Sequence, residues 1–130
     1  MSARPLPHPT ALTQPHWDGC REGLLRVQRC RACGAHVFIP QPLCTVCFSD
    51  GLEWVESAGN GDVYSFTVVH RAPHPAFATP YLVAIVALDE GFEMLANLEC
   101  DPRHAAIGMR VRVAYRAASN EISLPYFVPL

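Results

Sequence analysis

Cys30-Arg31-Ala32-Cys33-Gly34 and Cys44-Thr45-Val46-Cys47-Phe48, with ten residues between the two cysteine pairs, decide the fold of this chain. A Cys-x-x-Cys turn bends the backbone so that both sulfurs face one point, while following amides can donate hydrogen bonds to them. Two such turns supply four thiolates in a tetrahedron, with zinc–sulfur distances of about 2.3 Å. The paired spacing therefore makes Cys30, Cys33, Cys44 and Cys47 the metal ligands. Zinc is the expected ion, and iron, which four thiolates also hold, is the alternative. Gly34, directly after the first pair, can take a left-handed turn at little cost; Phe48 stands in the equivalent place after the second pair and is a less usual choice. A redox dithiol would need one pair and a thioredoxin-like βαβ context, which the flanking sequence lacks. Four protein ligands leave no position open for water or substrate, so the site is structural rather than catalytic.

Outward from the cysteines, the pattern reads as a zinc ribbon. Leu24 to Arg29, Val37 to Ile39 and Trp54 to Ser57 are short strands around the two turns, and Pro15 to Gly23 is a short helix with Trp17 and Cys20 on one face. Residues 1–14, interrupted by Pro5, Pro7 and Pro9, read as a flexible arm. The segment has about 35 residues, too few for a sufficient core of its own, and metal binding contributes on the order of 10 kcal/mol to its folding. The turn cluster Ala58-Gly59-Asn60-Gly61-Asp62 marks a boundary, giving an expected division into arm (1–14), helix and ribbon (15–57) and a second unit (58–130). That unit is all β. Val63 to Val69, Tyr81 to Leu88, Glu93 to Glu99, Arg110 to Arg116 and Glu121 to Val128 read as strands, with Asp89-Glu90-Gly91 as a hairpin turn. Tyr81 to Leu88 is continuously apolar, the pattern of a strand buried on both faces. Asp101-Pro102 to Gly108 carries cap, first-position proline and terminal glycine of a short helical turn. Three strands, a short helix and two strands is the order of a five-stranded, partly open OB barrel. The expected fold class is thus mainly β, a helix and ribbon followed by an OB barrel.

Composition narrows the function classes. Half of the 130 residues are apolar and 17% are charged, which suits a packed core rather than a disordered chain. No apolar run approaches the ~20 residues of a membrane helix, and the proline-broken N-terminus has no apolar signal centre. A cytoplasmic protein is the expectation. The formal net charge is −2 and every basic residue is arginine, a poor match to the positive excess that drives nucleic-acid binding. A nucleic-acid-binding module nevertheless remains the alternative reading, with Tyr64 and Phe66 as stacking platforms. Cys20 and Cys100 read as core thiols. No nucleophile–base–orienter set and no glycine-rich phosphate loop is present, so the chain is not expected to be catalytic alone.

The segments Gln28-Arg29-Cys30-Arg31-Ala32-Cys33-Gly34, Cys44-Thr45-Val46-Cys47 and Gly61-Asp62-Val63-Tyr64-Ser65-Phe66-Thr67-Val68-Val69-His70-Arg71 resemble the acyl-CoA-associated OB-fold proteins, in which a rubredoxin-like zinc ribbon precedes an OB barrel. Tyr81-Leu82-Val83-Ala84-Ile85-Val86 and Ile107-Gly108-Met109-Arg110-Val111 resemble the family's later strands, and the likeness covers about residues 15–128. The resemblance implies a non-catalytic accessory subunit that supports assembly and substrate access. The partner would be a thiolase-like or sterol-carrier-protein-x-type protein, with a hotdog-fold enoyl-CoA hydratase as a further partner. The metabolism implied is that of lipid, steroid or aromatic acyl-CoA thioesters.

Two surfaces are candidates for contact. The proline-stiffened loop after the first barrel strand carries His70, Arg71, His74 and Phe77, which could meet the phosphates of coenzyme A or acidic groups of a partner. The apolar C-terminus, with Tyr126, Phe127 and Leu130, is expected to dock on a partner. Arg110, Arg112 and Arg116 form a stripe of the solvated kind.

Overall fold

The computed structural model describes residues 5–130; residues 1–4 of the expected arm lie outside the described residues. The order of elements is α1 (Gln14–Glu22), β1 (Leu25–Cys30), β2 (His36–Val37), β3 (Leu52–Ser57), β4 (Asn60–Val69), β5 (Tyr81–Leu88), β6 (Glu93–Leu98), β7 (Arg110–Ala117) and β8 (Ser123–Pro129). Helix α1 starts with Pro15 in its first turn, where a missing N–H costs nothing, and stops at Gly23, whose left-handed φ of 77° caps it. It turns His16, Gly19 and Cys20 inward.

The ribbon is a three-stranded sheet in the order β2-β1-β3, with β1 antiparallel to both neighbours. The second strand is shorter than its sequence suggests, because Phe38 and Ile39 leave the ladder. A side chain replaces the missing rungs: buried Gln28 donates from Nε2 to the Gln41 carbonyl (2.9 Å) and accepts the Gln41 N–H at Oε1 (2.7 Å). Both polar ends of a buried amide are thereby satisfied, as burial requires.

The second unit is a closed barrel in the order β4-β5-β6-β8-β7. Closure comes from the start of β4 pairing with β7 at Asn60↔Arg112, Gly61↔Val111 and Asp62↔Arg110, so the expected open edge is absent. β6 and β8 are parallel, and the other barrel pairs are antiparallel. Phe127, Val63, Val86 and Val111 are essentially inaccessible at the centre, and Leu25 and Val27 of the ribbon join the same core. The two units thus share one hydrophobic interior.

Three expectations are corrected. The segment from Asp101 to Gly108 is turns, not helix. The Asp101 carboxylate accepts the Arg103 N–H (2.9 Å), and the His104 N–H reaches the Asp101 carbonyl (2.8 Å). The Gly108 N–H then donates to Val63 O (2.7 Å), and Val63 N–H donates to Met109 O (3.0 Å), which draws the chain onto β4 before a helix can propagate. β5 is not buried on both faces: Leu82, Ala84, Val86 and Leu88 are buried while Tyr81, Val83, Ile85 and Ala87 are half-buried. Finally, Tyr64 and Phe66 are not the paired stacking platforms that the alternative reading expects, because the register of β4 shifts between Val63 and Ser65. This bulge puts Val63, Phe66 and Val68 against the core and leaves Tyr64 61% exposed, so Tyr64 and Phe66 cannot form one stacking face.

Candidate functional site

The four cysteines converge as their spacing requires. Cys30 ends β1, and the first turn returns to β2; the second turn lies between β2 and β3. The two turns repeat each other bond for bond. Gly34 N–H donates to Cys30 O (2.8 Å) and Phe48 N–H to Cys44 O (3.0 Å), while Cys30 N–H donates to Ala35 O (2.8 Å) and Cys44 N–H to Ser49 O (2.9 Å). Gly34 and Phe48 hold the same left-handed φ, 79° and 63°. For a non-glycine residue that conformation costs roughly 1–2 kcal/mol.

All four Sγ atoms lie within 4.8 Å of one another. The Cys30–Cys47 and Cys33–Cys44 separations are both 3.6 Å, against about 3.8 Å for the edge of a tetrahedron with 2.3 Å metal–sulfur bonds. Cys30 and Cys44 are buried, Cys33 and Cys47 exposed. The Cys33 and Ala32 N–H groups pull the Cys30 thiol down to about 6 against the opposing effect of burial. The Cys47 and Val46 N–H groups lower Cys44 likewise, and Val46 N lies 3.4 Å from the Cys44 sulfur. At Cys47 the Ser49 N–H acts downward, but crowding by the other three sulfurs and burial carry this thiol up to about 12. Sulfurs this close oppose one another's ionisation, and a cation at their centre removes the conflict. Size, geometry and donor set all fit a metal ion, and the four sulfurs leave no place for a substrate.

A second feature has no single sequence signal. A groove of about 690 Å³ runs between the ribbon side and the barrel, bordered by His16 and Trp17 of α1, Phe38 and Ile39, and Ile85 and Leu95 of the barrel. His16 is 4% exposed, and its Nδ1 has no partner. Burial pushes its pKa below the usual value, opposed by a hydrogen bond to the Arg26 backbone. Of these residues the sequence singled out Trp17, but as a core partner of Cys20.

The structure splits the loop candidates. His74 and Phe77 come together edge-on, with ring centroids 6.2 Å apart, and Phe77 stacks on Tyr81 at 5.7 Å. His74 Nδ1 accepts the Ala76 N–H at 3.0 Å, so both side chains help to shape the loop. His70 and Arg71 are exposed. None of these four borders the groove. The C-terminal candidates are corrected. β8 closes the barrel between β6 and β7, so Phe127 is fully buried in the core and Tyr126 is 9% exposed; only Leu130, at 69%, is available to dock. Cys20 is buried, which pushes its thiol up to about 12. Cys100 is raised by burial and by the Asp101 charge. Neither is a poised nucleophile. Arg110 and Arg116 are tied to carboxylates, Arg110 to Asp89 and Asp62 and Arg116 to Glu99. Among the described residues no helix is long and apolar enough to cross a membrane.

Comparison with known proteins agrees with this architecture. Residues 17–53 match the ChsH2 rubredoxin-like zinc ribbon domain, and residues 54–116 match the ChsH2 C-terminal OB-fold domain. The chain is 41% identical over 114 residues to a probable enoyl-CoA hydratase alpha subunit from Thermomonospora curvata; the match covers 87% of this chain but 36% of that protein. The chain therefore spans about a third of the length of that subunit. It is 36% identical over 92 residues to the benzoylsuccinyl-CoA thiolase subunit BbsA from Geobacter metallireducens, covering 71% of this chain and 60% of BbsA. A chain of a solved Ltp2-ChsH2(DUF35) aldolase superimposes with a TM-score of 0.86 and 38% identity, covering 95% of this chain and 98% of that one. With both halves matched in order, and nearly the full length of a solved relative covered, the chain belongs to the DUF35 family of ChsH2-type proteins, a rubredoxin-like zinc ribbon followed by an OB-fold domain.

Proposed function

We propose that this chain is a non-catalytic accessory subunit of an acyl-CoA-processing complex. It would support assembly and substrate access for a thiolase-like or aldolase partner, with an enoyl-CoA hydratase as a further partner. The observation that carries the reading is the likeness to a chain of the Ltp2-ChsH2(DUF35) aldolase over 98% of its length. The metal site supports it. Zinc, held by Cys30, Cys33, Cys44 and Cys47, staples the ribbon and leaves bond chemistry to the partner's residues. Zinc is preferred to iron because the ribbon needs a metal that is structurally inert, with no redox chemistry. The protein works in the cytoplasm. Exposed His70 and Arg71 are the loop cations suited to coenzyme A phosphates or to acidic groups on the partner.

The nucleic-acid alternative is disfavoured by the β4 bulge, which separates Tyr64 from Phe66, and by a net charge of −2. The test is affinity purification of the tagged chain from its native cells, with mass spectrometry of co-eluting proteins and analysis of metal and nucleic acid in the same sample. A stoichiometric thiolase-like, aldolase or hydratase partner and one zinc per chain are expected. Recovery of the chain alone, recovery with nucleic acid, or acyl-CoA turnover by the isolated chain would overturn the proposal.

A further inference from the structure

The barrel closes, but its seam between β6 and β8 is short. The two strands are bridged only at Asn97↔Tyr126 and Leu98↔Phe127. The next rung in that register would take an N–H from Pro125, and proline has none. Beyond it the two strands part, and Glu93, Leu95, Leu124 and Pro125 all border the groove. On its other side β6 is paired with β5 without interruption, from Ala87↔Glu93 to Leu82↔Leu98. The first half of β6 is therefore a strand edge within an otherwise closed barrel.

Two bonds at the ends of β6 fix which backbone groups that edge presents. Leu88 N–H donates to Phe92 O (2.8 Å), so Phe92 faces β5; Glu99 N–H donates to Phe127 O (2.8 Å), so Glu99 faces β8. Successive residues of a strand turn their N–H and C=O to opposite sides. Glu93 and Leu95 thus point theirs away from β5, and among the described residues no strand pairs with them on that side. Strand edges are ordinarily covered or blunted by charge. Here the side chain at the middle of the edge is Leu95, 70% exposed, and Ile39, 65% exposed, borders the same groove. Glu93 is the one formally charged residue along it. An alkyl chain laid on Leu95 would leave the backbone groups unmatched, whereas an extended peptide matches both.

We propose that this edge takes an extended segment of a partner protein as an added strand beside Glu93 and Leu95. These two residues are two apart and share one face of β6. The segment that fits them carries a basic residue beside Glu93 and an apolar one beside Leu95, also two apart. Backbone bonds supply the affinity and the two side chains the choice of segment. The subunit reading enters only in naming the source, a basic–x–apolar segment exposed on the acyl-CoA-processing partner.

The experiment adds the capped pentapeptide KVLVK, whose pattern reads the same in either strand direction, to the purified, metal-loaded, isotope-labelled chain and follows amide shifts and hydrogen exchange. In the free chain the Glu93 and Leu95 amides should exchange about tenfold or more faster than those of Met94 and Ala96, and saturating peptide should remove the difference. The same peptide N-methylated at the leucine and both valines keeps every side chain but loses those donors, and should bind about tenfold or more weaker. The acidic counterpart EVLVE should bind roughly threefold weaker than KVLVK, and Glu93→Gln should erase that preference. Leu95→Pro removes an N–H that serves no ladder, so the fold should be kept and binding lost; should this variant not fold, Glu93→Gln and the N-methylated peptide still decide. A protected Leu95 amide in the free chain, no saturable response to KVLVK, or equal affinity for the N-methylated peptide overturns the proposal. A dimer that Leu95→Pro dissolves, with no peptide bound by the parent chain, overturns it too and assigns the edge to a second copy. Recovery of the chain without a partner would sink the subunit reading and leave peptide binding by the isolated chain untouched.

Discussion

Phe127→Ala separates two roles for the C-terminal strand. If the tail were a docking segment, truncation would weaken a complex and leave the isolated chain stable. The structure instead places the Phe127 ring at 0% exposure in the core with Val63, Val86 and Val111. Its backbone is fixed on both sides, by pairing with Val113 of β7 and Leu98 of β6 and by a bond from Glu99 N–H to its carbonyl at 2.8 Å. The barrel wall therefore has little freedom to collapse into the space left. A phenylalanine buries roughly 200 Å², which at about 25 cal/mol/Å² is worth ~5 kcal/mol. The retained Cβ keeps a small part and the cavity adds a penalty, so the expected loss is ~3–5 kcal/mol. With a urea slope of ~2 kcal/mol/M the unfolding midpoint should fall by ~1.5–2.5 M. Phe127→Leu, which conserves more volume, should cost about 1–2 kcal/mol and keeps the comparison measurable if the alanine variant does not fold. Leu130→Ala, at an exposed position, should stay within ~0.5 kcal/mol. The assay is urea unfolding by circular dichroism at constant saturating metal. A midpoint for Phe127→Ala indistinguishable from that of Leu130→Ala would refute the buried placement.

Removal of the metal, by chelation or by Cys44→Ser, should release one equivalent per chain by mass spectrometry and collapse the ribbon amide signals of Gly34 and Phe48; retention of both signals in the apo form would show that the ribbon folds without metal. Phe48→Gly removes a left-handed aromatic side chain that is 76% exposed. It should raise stability by up to roughly 1 kcal/mol, the relieved strain less the added backbone entropy of glycine, and a clear loss in thermal unfolding would show that the ring contributes packing. Asp89 accepts two hydrogen bonds from Arg110, which hold its carboxyl below the ordinary 3.8. The folded state thus binds fewer protons than the unfolded one on the acid side; the contribution is complete above about pH 4 and drains away as pH falls through the depressed folded value. Arg110→Gln should flatten this part of the curve, and identical urea midpoints against pH between 2.5 and 5 for variant and parent would contradict it.

The metal site was legible because its information is local. Each Cys-x-x-Cys fixes its own geometry, and four sulfurs within 4.8 Å follow once two such turns share a sheet. Strand order in the barrel was legible for a related reason: apolar runs and turn residues punctuate the chain in sequence order. The tail was misread because its apolar content is the same whether it docks or closes a barrel. Only the pairing of β8 with both β6 and β7 decides between them. The helix expected over Asp101–Gly108 had correct end signals, but tertiary bonds from Gly108 and Met109 to Val63 overrode them.

The bulge in β4 shows what period-two reading cannot contain. Val63 and Phe66 are three apart, so strict alternation assigns them to opposite faces, yet both meet the core because one extra residue is inserted at Tyr64. The insertion allows one strand to serve two partners. Its first residues pair with β7 to close the barrel, while Gly61 to Val69 pair with β5. A strand that bends between two neighbours needs the extra twist that a bulge supplies. Closure explains the bulge, and the bulge explains the exposed Tyr64. The groove follows the same logic on a larger scale: His16, Phe38 and Leu95 come from a helix, a loop and a strand, and no window of sequence holds them together. They meet because Leu25 and Val27 of the ribbon are buried in the barrel's own core. A cleft between two units that share one interior has walls as fixed as the core itself. Substitutions at the Leu25–Val27 contact should therefore reshape the groove, whereas substitutions in the loop of His70 and Arg71 should not.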